Sequence, residues 1–311
     1  MHTIPVLVIG FNRPDLLNNL LLRLQQLKIN QVFVALDGPR SQSDFDGCNN
    51  SLKVAEKFKT VFDLQVLWRD YNLGCTLGVI SALDWFFSEV NFGAILEDDC
   101  YPELDVFEHF DKLIKINPNQ KTTYSTIASG HNPFTYSEKI LASKYTLIWG
   151  WASWASIYSE IRKDFFELNK IARTNILGET RNLKETVYWW VNATRARLGF
   201  LDTWDGIFSD QAWRLGYKCL IPEKNLIKNY GFRQDATHTK NSRPPNLFNF
   251  RDNRITEKNF DSLLVKRYFK IRNYHVITSV LKLVYEILRN KRQKNFESIL
   301  SKDELLRTII K

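Results

Sequence analysis

Four short apolar runs in the first hundred residues, Val6–Gly10, Val32–Leu36, Leu64–Trp68 and Phe92–Leu96, each stop at a cluster of polar residues. Stretches of helical period separate them. Pro14 opens one with leucines at 16, 17, 20, 21, 24 and 27, residues 43–59 form another, and a third ends near Phe87. Runs this short and this apolar read as buried strands, and strands alternating with helices imply parallel crossovers. The expected fold is α/β, a mixed and mostly parallel sheet flanked by helices. Its polar strand ends would share the C-terminal edge, where open sheets of this kind bind ligands.

The fourth run ends in Glu97-Asp98-Asp99. Adjacent carboxylates raise one another's pKa unless something positive intervenes. A hard divalent cation carrying a diphosphate would satisfy them, because such ions take oxygen ligands and retain phosphate or water in the shell. The plainer reading is a solvated acidic loop. Two further strand ends carry polar residues of the same character: Phe11-Asn12-Arg13-Pro14 after the first and Asp37-Gly38-Pro39-Arg40 after the second. Asn72 and Gly74 precede the third helix, whose N-terminus would suit phosphate or sugar oxygens.

The second half is less regular. Residues 126–130 and 145–148 read as strands, Trp149-Gly150-Trp151-Ala152-Ser153-Trp154 as the opening of a helix, and residues 183–198 as a helix. Asp202-Thr203-Trp204-Asp205 comes next, then a strand at 217–222, and then His238 ahead of a stretch rich in Pro and Asn. Trp faces stack on sugar rings, which makes Trp149 a candidate acceptor contact. Trp151 and Trp154 equally suit core packing.

Charge is unevenly placed. Residues 251–311 hold 15 Lys/Arg against 7 Asp/Glu, which leaves 28 against 27 for residues 1–250. A nearly neutral body with a basic tail argues against nucleic acid as the partner. The cysteines, Cys48, Cys75, Cys100 and Cys219, form no C-x-x-C pair, which suits a reducing compartment rather than a disulfide framework. The start of the chain lacks the charged region of a signal peptide, and no run is long enough to span a membrane. The expected location is the cytoplasm. The pattern at 266–294 is that of a basic amphipathic helix, which would lie on an anionic membrane surface or dock its apolar face on the domain. The expected division is a catalytic domain at 1–250, with a nucleotide- and metal-binding half (1–125) and an acceptor half (126–250), and then a basic helical tail at 251–311.

Taken in order, Val-Leu-Val-Ile-Gly-Phe-Asn-Arg-Pro, Leu-Asp-Gly, Leu-Glu-Asp-Asp-Cys, Trp-Gly-Trp-Ala-Ser-Trp, Trp-Asp and Pro-Glu-Lys-Asn-Leu-Ile resemble GT-A glycosyltransferases. The likeness is to bacterial surface-polysaccharide sugar transferases and the N-acetylglucosaminyltransferase I family, over roughly residues 4–240. It implies transfer from a nucleotide-diphosphate sugar, with UDP favoured, to a glycan or lipid-linked acceptor in cell-surface polysaccharide synthesis. It implies that Asp99 ligates the metal, that Glu97, Asp98, Arg13, Asp37 and Asn72 serve the donor, and that Asp205 is the general base of an inverting reaction. Asp210 is the second candidate base, since the acid or aromatic expected next to that Asp is replaced by Gly206. Trp204, beside Asp205, would join Trp149 at the acceptor. His238 would complete the metal shell, and an imidazole ligand favours Mn²⁺ over Mg²⁺. Arg233, Lys240 and Arg243 would close on the diphosphate. Two rivals are a sugar-nucleotide nucleotidyltransferase, which needs a Gly-rich loop that residues 10–14 lack, and a non-catalytic glycan-binding scaffold at the membrane.

Overall fold

A computed structural model describes residues 4–114, 127–134, 140–163, 183–232, 255, 257–265 and 275–292. The first half keeps closely to the sequence pattern: β1 (Val6–Gly10), α1 (Pro14–Gln26), β2 (Gln31–Leu36), α2 (Gln42–Lys57), β3 (Asp63–Trp68), α3 (Gly74–Glu89) and β4 (Phe92–Glu97). Pro14 starts α1, where a missing N–H costs nothing, and Leu16, Leu17, Leu20, Leu21 and Leu24 bury its inner face.

Then come β5 (Cys100–Pro102), α4 (Val106–Ile114), β6 (Ile127–Ser129), β7 (Leu141–Ser143), β8 (Trp151–Trp154) and α5 (Ala155–Arg162). After them lie α6 (Leu183–Arg197), α7 (Asp205–Arg214), β9 (Cys219–Ile221), β10 (Ile227–Asn229), α8 (Glu257–Leu263) and α9 (Val276–Arg292).

Eight strands form one sheet in the order β3-β2-β1-β4-β8-β6-β9-β7, and β5 pairs separately with β10. The pairs β1–β2, β1–β4, β2–β3 and β6–β9 are parallel, whereas β4–β8, β6–β8 and β7–β9 are antiparallel. The mixed, mostly parallel α/β class is therefore observed. From β1 the chain builds outward to β3, and α3 then carries it back over β1 to start β4 on the other side. The order reverses between β1 and β4, and the C-terminal ends at such a reversal leave a crevice.

Alternation along the strands divides the interior in two. Leu7, Phe33 and Ile95 face a core shared with α3, α5 and α7, while Val6, Val8, Val32 and Val34 face α1 and α4.

Two local expectations fail in the second half. Residues 151–154 form a strand, because β8 is hydrogen-bonded on both sides, to β4 and to β6. That pairing overrides any helical tendency, and the helix starts only at Ala155. Residues 146–148 are irregular, and the strand of that region is β7, a few residues earlier. One core holds residues from both halves of the chain and from beyond position 250. Ile127, Trp151 and Phe208 share a core with Leu7, as do Ile255, Phe260 and Leu264. Phe260 packs edge-on against Phe134 at 5.4 Å, and Asp261 accepts from Ser143 Oγ at 2.5 Å.

Candidate active site

The register of the central strands sets the site. Ile9 lies opposite Glu97 and Gly10 opposite Leu36, so β1, β2 and β4 end at one level. The segments that leave these strand ends line a shared cleft of about 420 Å³. Phe11 and Arg13 come from β1, Asp37 from β2, and Glu97, Asp98 and Asp99 from β4. Asn72 and Gly74 arrive ahead of α3, Trp149 ahead of β8, and Asp202, Thr203, Trp204 and Asp205 at the start of α7. Asn229, Gly231 and Phe232 close one wall.

Arg13 sits in the acidic triplet as its counter-ion. Nε donates to Asp98 Oδ2 at 3.2 Å, Nη2 to Asp98 Oδ1, and Nη1 to Asp99 Oδ2 at 3.0 Å. Burial opposes the Arg13 charge, but the two carboxylates outweigh it and raise its pKa. Burial pushes Asp98 up to about 6, with Arg13 pulling it down and Asp99 pushing it up. Glu97 is pushed up to about 8, by burial first and then by Asp99 and Asp98. One guanidinium faces three carboxyl groups, and the crowding keeps a proton on Glu97 at neutral pH; added positive charge would favour the fully ionised cluster.

Gly231 is a steric requirement of this corner. A Cβ there would stand 2.2 Å from Asp99 Oδ2, closer than any side chain tolerates. The approach is held by Tyr230 N–H donating to Asp99 O at 2.9 Å and Gly231 N–H donating to Asn229 Oδ1 at 2.7 Å.

Asp37 accepts Leu73 N–H at 3.0 Å on each oxygen. Burial raises its pKa, while the Leu73 amide and the charge of Arg69 lower it. Asn72 lines the cleft, yet its amide binds backbone: Nδ2 donates to Gly38 O at 2.8 Å and Oδ1 accepts from Gly74 N–H at 3.0 Å. Asn72 therefore shapes the loop, with one N–H and one lone pair left over at the cleft.

The N-terminus of α3 is not open to a ligand. Asp202 accepts Cys75 N–H and Thr76 N–H, both at 2.8 Å. Gly74 makes the approach possible with φ of +78°, and a Cβ there would meet Asp202 Oδ2 at 2.7 Å. Sequence reasoning missed this role of Asp202, which caps a helix that starts more than a hundred residues earlier. Arg40 was missed too; it stacks over Phe11 at 4.9 Å and forks onto Asp44.

Asp205 begins α7, exposed at the cleft. Oδ1 accepts from Thr203 Oγ1 and from Gly206 N–H at 2.8 Å, and Oδ2 takes no hydrogen bond from the described residues. Asp210, the other candidate base, lies elsewhere: it is 1% exposed and pairs with Arg197 Nη2 at 2.8 Å. One helical face explains the split, since Asp205 starts the helix at the cleft while Asp210 turns into the core. Trp204 lines the cleft but is 3% exposed, packed against Trp151 and Phe208. Trp149 is half-buried between His131 and Phe232 and offers more of its ring. His238, Arg233, Lys240 and Arg243 fall outside the described residues.

The chemistry of the donor set decides how a divalent ion could be held here. Among the described residues no group of three or more His, Cys, Asp or Glu side chains is arranged to hold a metal. Asp98 is engaged by Arg13 on both oxygens, whereas Asp99 meets Arg13 on Oδ2 and only the weak Cys100 Sγ donor, at 3.6 Å, on Oδ1, which makes Asp99 the better placed of the two to serve. An ion anchored by one carboxylate, with substrate phosphates and water completing its shell, fits this corner; a metal held by protein alone does not.

No family model and no curated protein matches this sequence. Solved structures resemble parts of it. The mannosyltransferase PcManGT from Pyrobaculum calidifontis, in complex with GDP-Man and Mn²⁺, is 13% identical over 50% of this chain and 45% of that one, with a TM-score of 0.35. The bifunctional glycosyltransferase WbbM is 8% identical over 52% of this chain and 34% of that one, TM-score 0.33. A putative glucose-1-phosphate thymidylyltransferase from Bacillus anthracis is 9% identical over 61% of this chain and 83% of that one, TM-score 0.33. This chain spans less than half the length of the first two. Likenesses this weak decide nothing about activity.

Proposed function

We propose that this protein is a glycosyltransferase that moves a sugar from a nucleotide-diphosphate donor to an acceptor hydroxyl. The reading rests on one observation: a bridged Arg13–Asp98–Asp99 cluster and an unencumbered Asp205 oxygen open into the same cleft, at the point where the strand order reverses. Such a pair of sites matches the needs of the chemistry. The leaving diphosphate gains negative charge, and the incoming hydroxyl must lose a proton.

Each residue has a task in this reading. Asp37 and Arg69 give an acceptor and a donor for a base edge, which suits the imide and carbonyls of uracil. Arg13 turns part of its fork toward phosphate when the donor enters. Trp149 stacks against a sugar ring. Asp205 Oδ2 takes the acceptor's proton as the acceptor oxygen bonds to the anomeric carbon and the bond to the diphosphate breaks, with inversion. A divalent ion, Mn²⁺ in preference to Mg²⁺, would be held by Asp99 and would supply charge stabilisation to the diphosphate when bound. The β1–α1 connection has no Gly-rich loop for a triphosphate, which weighs against nucleotidyl transfer. The acceptor is a glycan or lipid-linked saccharide of surface polysaccharide assembly.

Two variants test the assignment. Asp99→Ala should abolish metal-dependent binding of the nucleoside diphosphate. Asp205→Asn should bind it as the wild type does and lose sugar transfer, by at least about a hundredfold for a missing general base. Normal transfer by Asp205→Asn would remove the base from the scheme.

A further inference from the structure

The last described helix carries two apolar stripes. One faces the body of the protein. Leu283 is buried there, and Glu286 receives Arg195 Nε and Nη2 from α6 at 3.0 Å each. The other stripe faces outward. Ile277, Leu281, Val284 and Leu288 recur at spacings of four, three and four, the period of one helix face. They are 76%, 63%, 46% and 56% exposed, and Tyr285 beside them is 63% exposed. Single exposed leucines are ordinary on protein surfaces; a contiguous stripe of five large apolar side chains marks an interaction site.

We propose that this outer stripe of α9 seats in the headgroup boundary of an anionic lipid bilayer, with the helix lying in the membrane plane. Charge selects the occupant. Exposed Lys282 and Arg289 border the stripe, and residues 251–311 hold 15 Lys/Arg against 7 Asp/Glu on an otherwise nearly neutral chain. A second copy would set two basic segments against each other, whereas anionic headgroups complement them. No helix among the described residues is long and apolar enough to cross a membrane, so contact is by surface seating. The same clamp orients the cleft. Arg195 holds α9 through Glu286, and its carbonyl accepts Phe200 N–H at 2.8 Å and Leu201 N–H at 3.2 Å, the turn that leads to Asp202 and Asp205. Seating α9 thus holds the arm bearing the proposed base beside the bilayer.

The test is co-sedimentation of the full chain with phosphatidylcholine vesicles, with and without phosphatidylglycerol. Binding should require the anionic lipid and weaken as salt rises. The double variant Leu281→Asp/Leu288→Asp should bind at least about tenfold more weakly, given the transfer energy of two leucines. Its melting curve and far-UV circular dichroism report whether it folds. If it does not fold, Ile277→Gln at the most exposed position replaces it, with a drop of several-fold expected. Equal binding to neutral vesicles, no binding to any vesicle, or unchanged binding by the folded variant would overturn the proposal. So would a wild-type dimer that the variant makes monomeric. Vesicle binding is read without any transfer assay, so its failure leaves the catalytic reading standing, and the reverse holds as well.

Discussion

Replacing Arg13 by Met should destabilise the protein in a strongly pH-dependent way. Asp98 has a side chain only 2% exposed and takes two of the three Arg13 hydrogen bonds. Removing one partner of such a pair leaves an uncompensated buried charge and costs about 3–5 kcal/mol while Asp98 stays ionised. Asp98 can escape by taking a proton. Its pKa already stands at about 6 with Arg13 present, and loss of the cation moves it higher. A carboxyl whose folded pKa exceeds its unfolded value binds more protons in the native state. Its contribution is therefore most favourable at low pH and is lost as pH rises through the folded pKa. The stability difference between wild type and Arg13→Met should be about 1 kcal/mol at pH 5 and about 3–5 kcal/mol at pH 8. Urea denaturation at the two pH values measures it, and Asp98→Asn added to Arg13→Met should recover most of the loss at pH 8. Equal losses at both pH values, or no recovery in the double variant, would refute the counter-ion role.

Gly231→Ala should displace the Asp99 carboxylate and weaken nucleoside diphosphate binding by about tenfold or more with little change in melting temperature, because the clash falls on the ends of two cleft side chains, Asp99 and Asn229, and not on backbone. Binding at the wild-type level would show that Asp99 is not needed. Asp202→Ala should cost about 0.5–1 kcal/mol, the lower part of the range for a lost helix cap because the carboxylate is exposed, and lower the melting temperature by roughly one to three degrees. Asp202→Asn should recover part of it, and an unshifted melting curve for the alanine variant would dismiss the cap. Burial lowers the His131 pKa to about 4, so its neutral form contributes stability fully above pH 6.5, and this is lost as pH falls toward 4. The stability gap between wild type and His131→Gln should therefore narrow by about 1.4 kcal/mol per pH unit across that window. A gap constant with pH would mean that His131 is not buried as a neutral ring.

The sequence was most legible where local pattern and tertiary need agree. The strands β1, β2 and β4 are apolar on both faces because helices cover both sides of the sheet, and each leads directly into a residue that enters the cleft. Arg13, Asp37 and Asp99 follow those ends and line the cleft. Asp202 was not legible, because a helix cap supplied from a distant segment leaves no mark near the helix it caps. Asp210 stood beside Asp205 as a candidate base because spacing along a chain does not say which side of a helix start meets solvent; the structure buries it against Arg197. The strand at 151–154 is a similar case: its flanking partners β4 and β6 decide its conformation, and neither lies beside it in sequence. Arg13 illustrates a subtler gap. The family resemblance implied a nucleotide contact, while its position makes it the partner of the acids first.

Calorimetric titration with UDP, GDP and CMP, each with and without Mn²⁺ and alongside Mn²⁺ alone, probes the proposed donor site without any acceptor. One nucleoside diphosphate, UDP, should bind tightly only when Mn²⁺ is present. Mn²⁺ alone should bind weakly, since Asp99 needs the diphosphate to complete the shell. Folded protein that binds none of the nucleotides under either condition would contradict the transferase reading and leave the cleft without a nucleotide-sugar role.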